Sequence, residues 1–142
     1  MTAPNASPIS VTRTRTPSPR PADASLSFGK VFTDHMFLMN YEEGKGWHNP
    51  RVVPYASLPI DPATSVLHYG QAIFDGLKAF RGADGTIRLF RAQRHAERLN
   101  KSARALCIPE LDVDLVRQSF ETLVGVDHEW VPSTPGTSLY IR

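Results

Sequence analysis

The stretch VLHYGQAIFDGLKAF, residues 66–80, decides how the rest of the chain is arranged. It follows a turn-forming break at residues 60–62 and contains Gly70 and Gly76, each of which costs about 1 kcal/mol against alanine in a helix interior. We therefore predict a short helical turn over residues 67–73 and a strand that begins at Gly76. The aromatic side chains of the stretch suit either a strand that fills the core or a ligand pocket, and composition alone favours the core.

Two hairpins are predicted on either side of this stretch. Residues 35–41 and 47–55 have the composition of strands and flank the loop EEGKG. Residues 76–81 and 86–90 flank GADG, whose Asp-Gly pair supplies the positive φ angles of a tight turn. The chain before the helical region is therefore expected to be mainly antiparallel β structure.

Helical periodicity begins after the second hairpin. Leu99, Ala103 and Leu106 recur at i, i+4 and i+7 and predict a buried face on a helix over residues 91–106. A second helix is predicted over residues 113–125. Its apolar stripe is Leu115, Phe120, Leu123 and Val124. With a last strand over residues 137–142, the order of elements predicts an α+β fold: a mostly antiparallel sheet with helices packed on one face.

Composition limits the classes of function. The chain has 142 residues, 41% hydrophobic and 21% charged, which is ordinary for one globular domain. A net charge of +2 gives no support for nucleic-acid binding, and no apolar run is long enough to predict a membrane span. The five histidines show no metal-ligand spacing, so no metal site is predicted. Cys107 is the sole cysteine, which fits a reducing compartment and predicts a cytoplasmic protein.

Both ends of the chain have unusual composition. Residues 1–27 are rich in Pro, Ser, Thr and Ala and poor in bulky apolar side chains, which predicts a disordered tail. Their arginines suggest an organelle transit peptide, but five prolines oppose an amphipathic helix. The other end, TSLYIR, stops within an apolar strand, so we expect residues 28–142 to be one domain of a longer protein.

A basic stripe marks the first predicted helix. Arg91, Arg94, Arg98 and Lys101 follow one another at spacings of three and four residues and so share one helix face. For any single member a solvated position is the favoured interpretation. The alternative is that one arginine binds an anion, because its planar guanidinium donates two parallel hydrogen bonds to a phosphate. Lys78, the only lysine of residues 66–80, is interpreted as structural.

Several ordered segments carry a family resemblance. They are FGKVFTDHM at 28–36, LHYG at 67–70, FDGLKAF at 74–80, RLFR at 88–91, ERL at 97–99, WVP at 130–132 and GTSLYIR at 136–142. In these the chain resembles the N-terminal part of branched-chain amino-acid aminotransferases, the fold-type IV enzymes that use pyridoxal 5′-phosphate. The resemblance covers everything after the predicted tail.

The resemblance implies a role for particular residues. Arg98 would bind the cofactor phosphate, and Arg142 would receive the side-chain carboxylate of glutamate. The substrate side chain would lie against four aromatic residues: Phe28, Tyr69, Phe74 and Tyr140. In this family the counterpart of Tyr69 reaches the partner subunit's site, so the resemblance implies a homodimer. The family's Schiff-base lysine would lie beyond residue 142, so no catalytic residue is expected in this chain and the chain alone is expected to be inactive.

The implied reaction moves an amino group between leucine, isoleucine or valine and 2-oxoglutarate. Apolar pocket walls favour aliphatic substrates, because these bind mainly through buried apolar area. Two alternatives share the architecture: a D-amino-acid aminotransferase and an aminodeoxychorismate lyase. A third, a non-catalytic interaction module, would leave the aromatic residues without a role.

Overall fold

The computed structural model describes residues 8–142 and shows a mixed α and β structure. The strands are β1 (Ser10–Val11), β2 (His35–Glu42), β3 (Gly46–Pro54), β4 (Leu77–Arg81), β5 (Ile87–Leu89) and β6 (Leu139–Ile141). The helices are α1 (Ser65–Tyr69), α2 (Ala92–Ala105) and α3 (Val113–Val126), and short 3₁₀ turns occupy Asp23–Ser25 and His128–Trp130. The predicted α+β class is confirmed, as are both hairpins. No helix in this part of the chain is long and apolar enough to cross a membrane.

The strands form two sheets of three, where one sheet was predicted. One has the order β1-β3-β2 and the other the order β5-β4-β6. All neighbours are antiparallel except β1 and β3, which run parallel. The sheets are separate because the segment from Tyr55 to Gly76, which contains Pro59, Pro62 and α1, joins β3 to β4 without continuing the ladder.

Helix α3 lies against both sheets. It begins where predicted, because Asp112 caps it by accepting the Leu115 N–H at 2.7 Å. Val124 packs with Leu77 and Ile141 in the core of the β5-β4-β6 sheet, and the helix also contacts β2 and β3. The open face of the β5-β4-β6 sheet therefore lies on the side away from α3.

The buried face of α2 differs from the predicted one. Ala103 is buried as expected, but Leu99 is only half-buried and Leu106 is exposed. The face turned inward contains Asn100, whose side chain donates to Leu111 O at 2.7 Å and accepts the Leu111 N–H at 2.8 Å. Asn100 thus supplies hydrogen-bond partners for the main-chain N–H and C=O of Leu111, in the loop between α2 and α3. The helix face that contains Asn100 is therefore turned inward, in place of the face that contains Leu99 and Leu106.

The predicted disordered tail is wrong for residues 8–27, which lie along the folded domain. Ser10 and Val11 pair with β3, and the Ser18 N–H donates to Asp34 Oδ1 at 2.9 Å. The Asp23 carboxylate accepts the main-chain N–H groups of Ser133 and Thr134 at 2.9 and 3.0 Å. Apart from the Asp23 acceptor, the tail contributes main-chain N–H groups to these bonds, so low apolar content did not prevent docking. Residues 1–7 of the predicted tail lie outside the described residues.

Candidate active site

An acidic residue and two basic ones meet where β4 begins. His95 and Arg98 are three residues apart on α2 and so lie on one helix face. The Asp75 carboxylate, two residues before β4, accepts Arg98 Nε at 2.6 Å and Arg98 Nη2 at 2.8 Å. It also lies 2.8 Å from His95 Nδ1. This arrangement assigns Arg98 a fixed partner that sequence reasoning did not identify.

Burial and hydrogen bonding act in opposite directions on Asp75. Burial of its side chain, which is 8% exposed, favours the neutral acid, whereas the hydrogen bonds from Arg98 and His95 and the charge of Arg98 favour the carboxylate. The net effect lowers the pKa of Asp75 below its ordinary value. The hydrogen bond to Asp75 and the charge of that carboxylate raise the pKa of Arg98, so both groups are ionised at neutral pH.

Arg98 retains donors that the domain does not use. Among residues 8–142 its hydrogen bonds come from Nε and Nη2, and none comes from Nη1. Its side chain is 60% exposed, although the carboxylate that binds it is buried. A guanidinium that is fixed on one edge and free at Nη1 has the donor set that a phosphate requires.

The rest of the basic stripe is arranged differently. Arg94 is 68% exposed and pairs with Glu97 at 2.7 Å. Arg91 is the residue before the helix and adopts a left-handed backbone with φ of 55°. Arg98 is therefore distinguished from Arg94 by its pairing with a buried carboxylate, while Arg94 belongs to the solvated face.

Tyr140 lies beside this cluster on the open face of the β5-β4-β6 sheet. On β6 its neighbour Ile141 enters the core, so Tyr140 faces the opposite side. The phenol covers Gly76, where an added Cβ would lie only 1.9 Å from Tyr140 Oη. The ring also contacts Phe28, with centroids 5.2 Å apart and ring planes inclined at 60°. Glycine at residue 76 is thus required for this position of Tyr140.

The four aromatic residues predicted as pocket walls form one pair and two separate side chains. Phe28 and Tyr140 are in contact, and Tyr140 is near enough to Arg98 to contribute to the raised pKa of that arginine. Tyr69 and Phe74 are 87% and 78% exposed, and no ring contact within residues 8–142 joins either to the pair. Large apolar rings at such exposure are available to other protein surfaces.

Arg142 and Lys78 also lie at this end of the sheet. Arg142 is exposed and follows β6 directly. Lys78 is exposed and pairs in register with Tyr140, so the two share the open face. The cluster around Arg98, the Phe28–Tyr140 pair and these two cations therefore surround one end of β4.

A second histidine–aspartate pair was not predicted. His35 Nδ1 lies 2.6 Å from Asp127 Oδ1, and both side chains are almost wholly buried. The Thr14 N–H donates to His35 Nε2 at 2.9 Å, so the proton resides on Nδ1 and Nε2 has no free lone pair. The pair therefore has a structural role and lacks the exposed nitrogen of a general base. No local signal could have revealed it, since 92 residues separate its members.

Comparison with known proteins gives the chain its relatives. It is 54% identical over 119 residues to a protein of Bacillus subtilis named branched-chain-amino-acid transaminase 1, covering 84% of this chain and 33% of that one. It is 50% identical over 120 residues to a branched-chain-amino-acid aminotransferase of Mycolicibacterium smegmatis, with coverage of 84% and 33%. Over 84% of its length the chain is therefore similar to branched-chain-amino-acid aminotransferases. It spans about a third of the length of these relatives.

The remaining comparisons add little to this assignment. A bovine mitochondrial branched-chain-amino-acid aminotransferase is 46% identical over 117 residues, covering 82% of this chain and 30% of that protein. A solved branched-chain amino acid aminotransferase from Thermobaculum terrenum, in its PLP form, aligns with a TM-score of 0.47 and 26% identity over 54% of this chain and 26% of that chain. No protein-family model matches.

Proposed function

We propose that residues 28–142 form the N-terminal small domain of a pyridoxal 5′-phosphate-dependent branched-chain aminotransferase, and that residue 142 precedes the domain with the catalytic lysine. The proposed reaction moves the amino group between leucine, isoleucine or valine and 2-oxoglutarate. The observation that supports it most is the paired guanidinium of Arg98, which retains free N–H donors beside the Phe28–Tyr140 wall.

The residues present fit the phosphate of this cofactor. Arg98 is charged at all relevant pH, and its Nη1 donors are available within residues 8–142. Arg98 would bind the phosphate, and the bound cofactor would supply the electron sink of transamination. The domain's own contribution is to bind and orient the cofactor and to keep water from the substrate side chain.

The aromatic residues would form the substrate pocket. Phe28 and Tyr140 supply adjoining apolar surface against which an aliphatic side chain loses contact with water. Arg142 follows Tyr140 by two residues and would receive the carboxylate of glutamate at the pocket rim, where its stem contacts apolar surface and its head stays near water. One pocket would thereby accept two unlike substrates.

A homodimer is part of the proposal. The exposed rings of Tyr69 and Phe74, which contact neither Phe28 nor Tyr140 in this chain, support a role at a subunit boundary. Tyr69 would enter the pocket of the partner subunit. The sole cysteine, Cys107, is exposed and free, in accord with a cytoplasmic location.

Cofactor retention tests the assignment of Arg98. In the full-length protein that contains this chain, Arg98→Ala is expected to weaken cofactor binding at least about tenfold, because a charge-assisted hydrogen bond to phosphate is lost. Arg94→Ala is the matched control and is expected to change retention much less, since Arg94 pairs with Glu97 on the solvated face. Dialysis against cofactor-free buffer followed by absorbance measurement decides between them. Equal losses from both variants would contradict the assignment.

A direct assay tests the reaction itself. Full-length protein supplied with leucine and 2-oxoglutarate should produce glutamate. Activity with D-alanine, or release of pyruvate from aminodeoxychorismate, would instead assign it to another fold-type IV reaction.

A further inference from the structure

We propose that Asp75 is a positioning residue that orients Arg98 for the phosphate group, an inference that rests on the proposed function. Asp75 does not need to touch the cofactor for this role. It acts through the guanidinium of Arg98, because it fixes the orientation of the guanidinium plane and decides which edge faces an incoming ligand.

Both oxygens of the Asp75 carboxylate accept hydrogen bonds from side chains of its own domain. Oδ2 accepts Arg98 Nε, and Oδ1 accepts both Arg98 Nη2 and His95 Nδ1. A carboxylate has about four lone-pair sites, so these donors hold it in one orientation. Because the side chain is 8% exposed, water does not compete strongly for them.

This fixed carboxylate determines which edge of Arg98 remains available. Two parallel bonds to Nε and Nη2 align the guanidinium plane with the carboxylate plane. Both N–H groups of Nη1 are left for an incoming anion. Without Asp75, a side chain that is 60% exposed would sample several rotamers, and phosphate binding would have to select one of them.

His95 makes the negative charge at residue 75 necessary. Arg98 Nη2 and His95 Nδ1 are 3.2 Å apart and both lie within hydrogen-bond distance of Oδ1. An asparagine oxygen could accept from one of these donors but would not hold two of them together as strongly. Its amide N–H groups would also face the guanidinium, since an amide nitrogen only donates.

When the charge of Asp75 is removed, a positioning role and simple electrostatics predict opposite changes in the affinity for pyridoxal 5′-phosphate. A carboxylate beside a phosphate site repels the phosphate, so removal of its charge alone would tighten binding of pyridoxal 5′-phosphate. If Asp75 orients Arg98, the same removal weakens binding. The sign of the change therefore separates the two roles.

The experiment measures dissociation constants of the full-length protein for pyridoxal 5′-phosphate and for pyridoxal, which lacks the phosphate. Asp75→Asn should weaken binding of pyridoxal 5′-phosphate by about tenfold and leave that of pyridoxal unchanged. Asp84→Asn is the control, because it removes a carboxylate that pairs with Arg88 at 2.6 Å in the β4–β5 hairpin. It should change neither constant. Tighter or unchanged binding of the phosphate form by Asp75→Asn would overturn the proposal, as would equal weakening of both ligands.

Two further variants keep the test decisive. Asp75→Glu preserves the charge but displaces the guanidinium by one methylene, so it should weaken the phosphate form less than Asp75→Asn does, and a loss larger than that of Asp75→Asn would overturn the positioning role. In an Arg98→Ala background, Asp75→Asn should have no further effect on the ratio of the two constants. If Arg98→Ala itself leaves that ratio unchanged, the phosphate assignment of the proposed function fails. If only the Asp75 variants leave it unchanged, the positioning role alone fails.

Discussion

Replacement of Asp127 by asparagine should strongly destabilise the fold. Asp127 is 3% exposed and accepts both the His35 N–H at 3.2 Å and His35 Nδ1 at 2.6 Å. Asparagine has the same shape but one oxygen, so one of these donors loses its acceptor. The lost charge-assisted bond is worth about 1.5–3 kcal/mol, and a buried unsatisfied donor costs about 1–3 kcal/mol. We expect the free energy of unfolding to fall by about 3 kcal/mol.

The chain offers a matched control at the other end of the same helix. Asp112 caps the start of α3, whereas Asp127 follows its end. Asparagine is as good an N-cap as aspartate, so Asp112→Asn should change stability by only a few tenths of a kcal/mol. Urea unfolding of both variants in the full-length protein, monitored by circular dichroism, measures the difference. A loss below about 1 kcal/mol for Asp127→Asn would show that water reaches His35 and would refute the inference of a dry, fully bonded pair.

Three further predictions concern the candidate site and its acid stability. Gly76→Ala should displace the Tyr140 ring and lower reactivity toward every substrate, whereas Gly125→Ala, where an added Cβ meets nothing within 4 Å, should stabilise α3 by up to about 1 kcal/mol in thermal unfolding. Arg142→Ala should lower kcat/KM for glutamate by on the order of 10-fold in single-turnover assays and affect leucine much less, while Tyr140→Ala should impair both; equal losses for Arg142→Ala would leave it a structural role. Because the pKa of Asp75 is lowered in the fold, its contribution to stability is complete above the ordinary value of 3.8 and is lost as pH falls through the lower folded-state pKa. The free energy of unfolding in urea should therefore differ less between pH 6 and pH 3 for Asp75→Asn than for the unsubstituted protein.

Elements set by short-range patterns were predictable from the sequence. The two hairpins and α3 fall where alternation, Asp-Gly and helical spacing indicate them. The inward face of α2 was not predictable, because Asn100 bonds the main chain of Leu111 in a loop whose path the sequence does not specify. The docking of residues 8–27 was also missed, because main-chain N–H donors occur at almost every residue and leave no compositional trace.

The candidate site divides in the same way. Family resemblance alone singled out Arg98 from a stripe of similar cations. Its partner Asp75 lies 23 residues away in the sequence, so helical spacing could not connect them. One signal was present: Asp75 is the only charged residue between Val66 and Leu77. An isolated acid in an apolar stretch needs a partner, and a nearby basic stripe offers several.

The contacts of Asp23 can form only late in the synthesis of this domain. Asp23 bonds to Thr134, 111 residues later, and β1 pairs with a strand that begins at Gly46. Translation at roughly 5–20 residues per second places on the order of 10 s between the synthesis of Asp23 and that of Thr134. During that interval the Asp23 carboxylate has no donors at the far end of the domain. The segment around Asp23 therefore reaches its final hydrogen bonds only after residues 133 and 134 have been made.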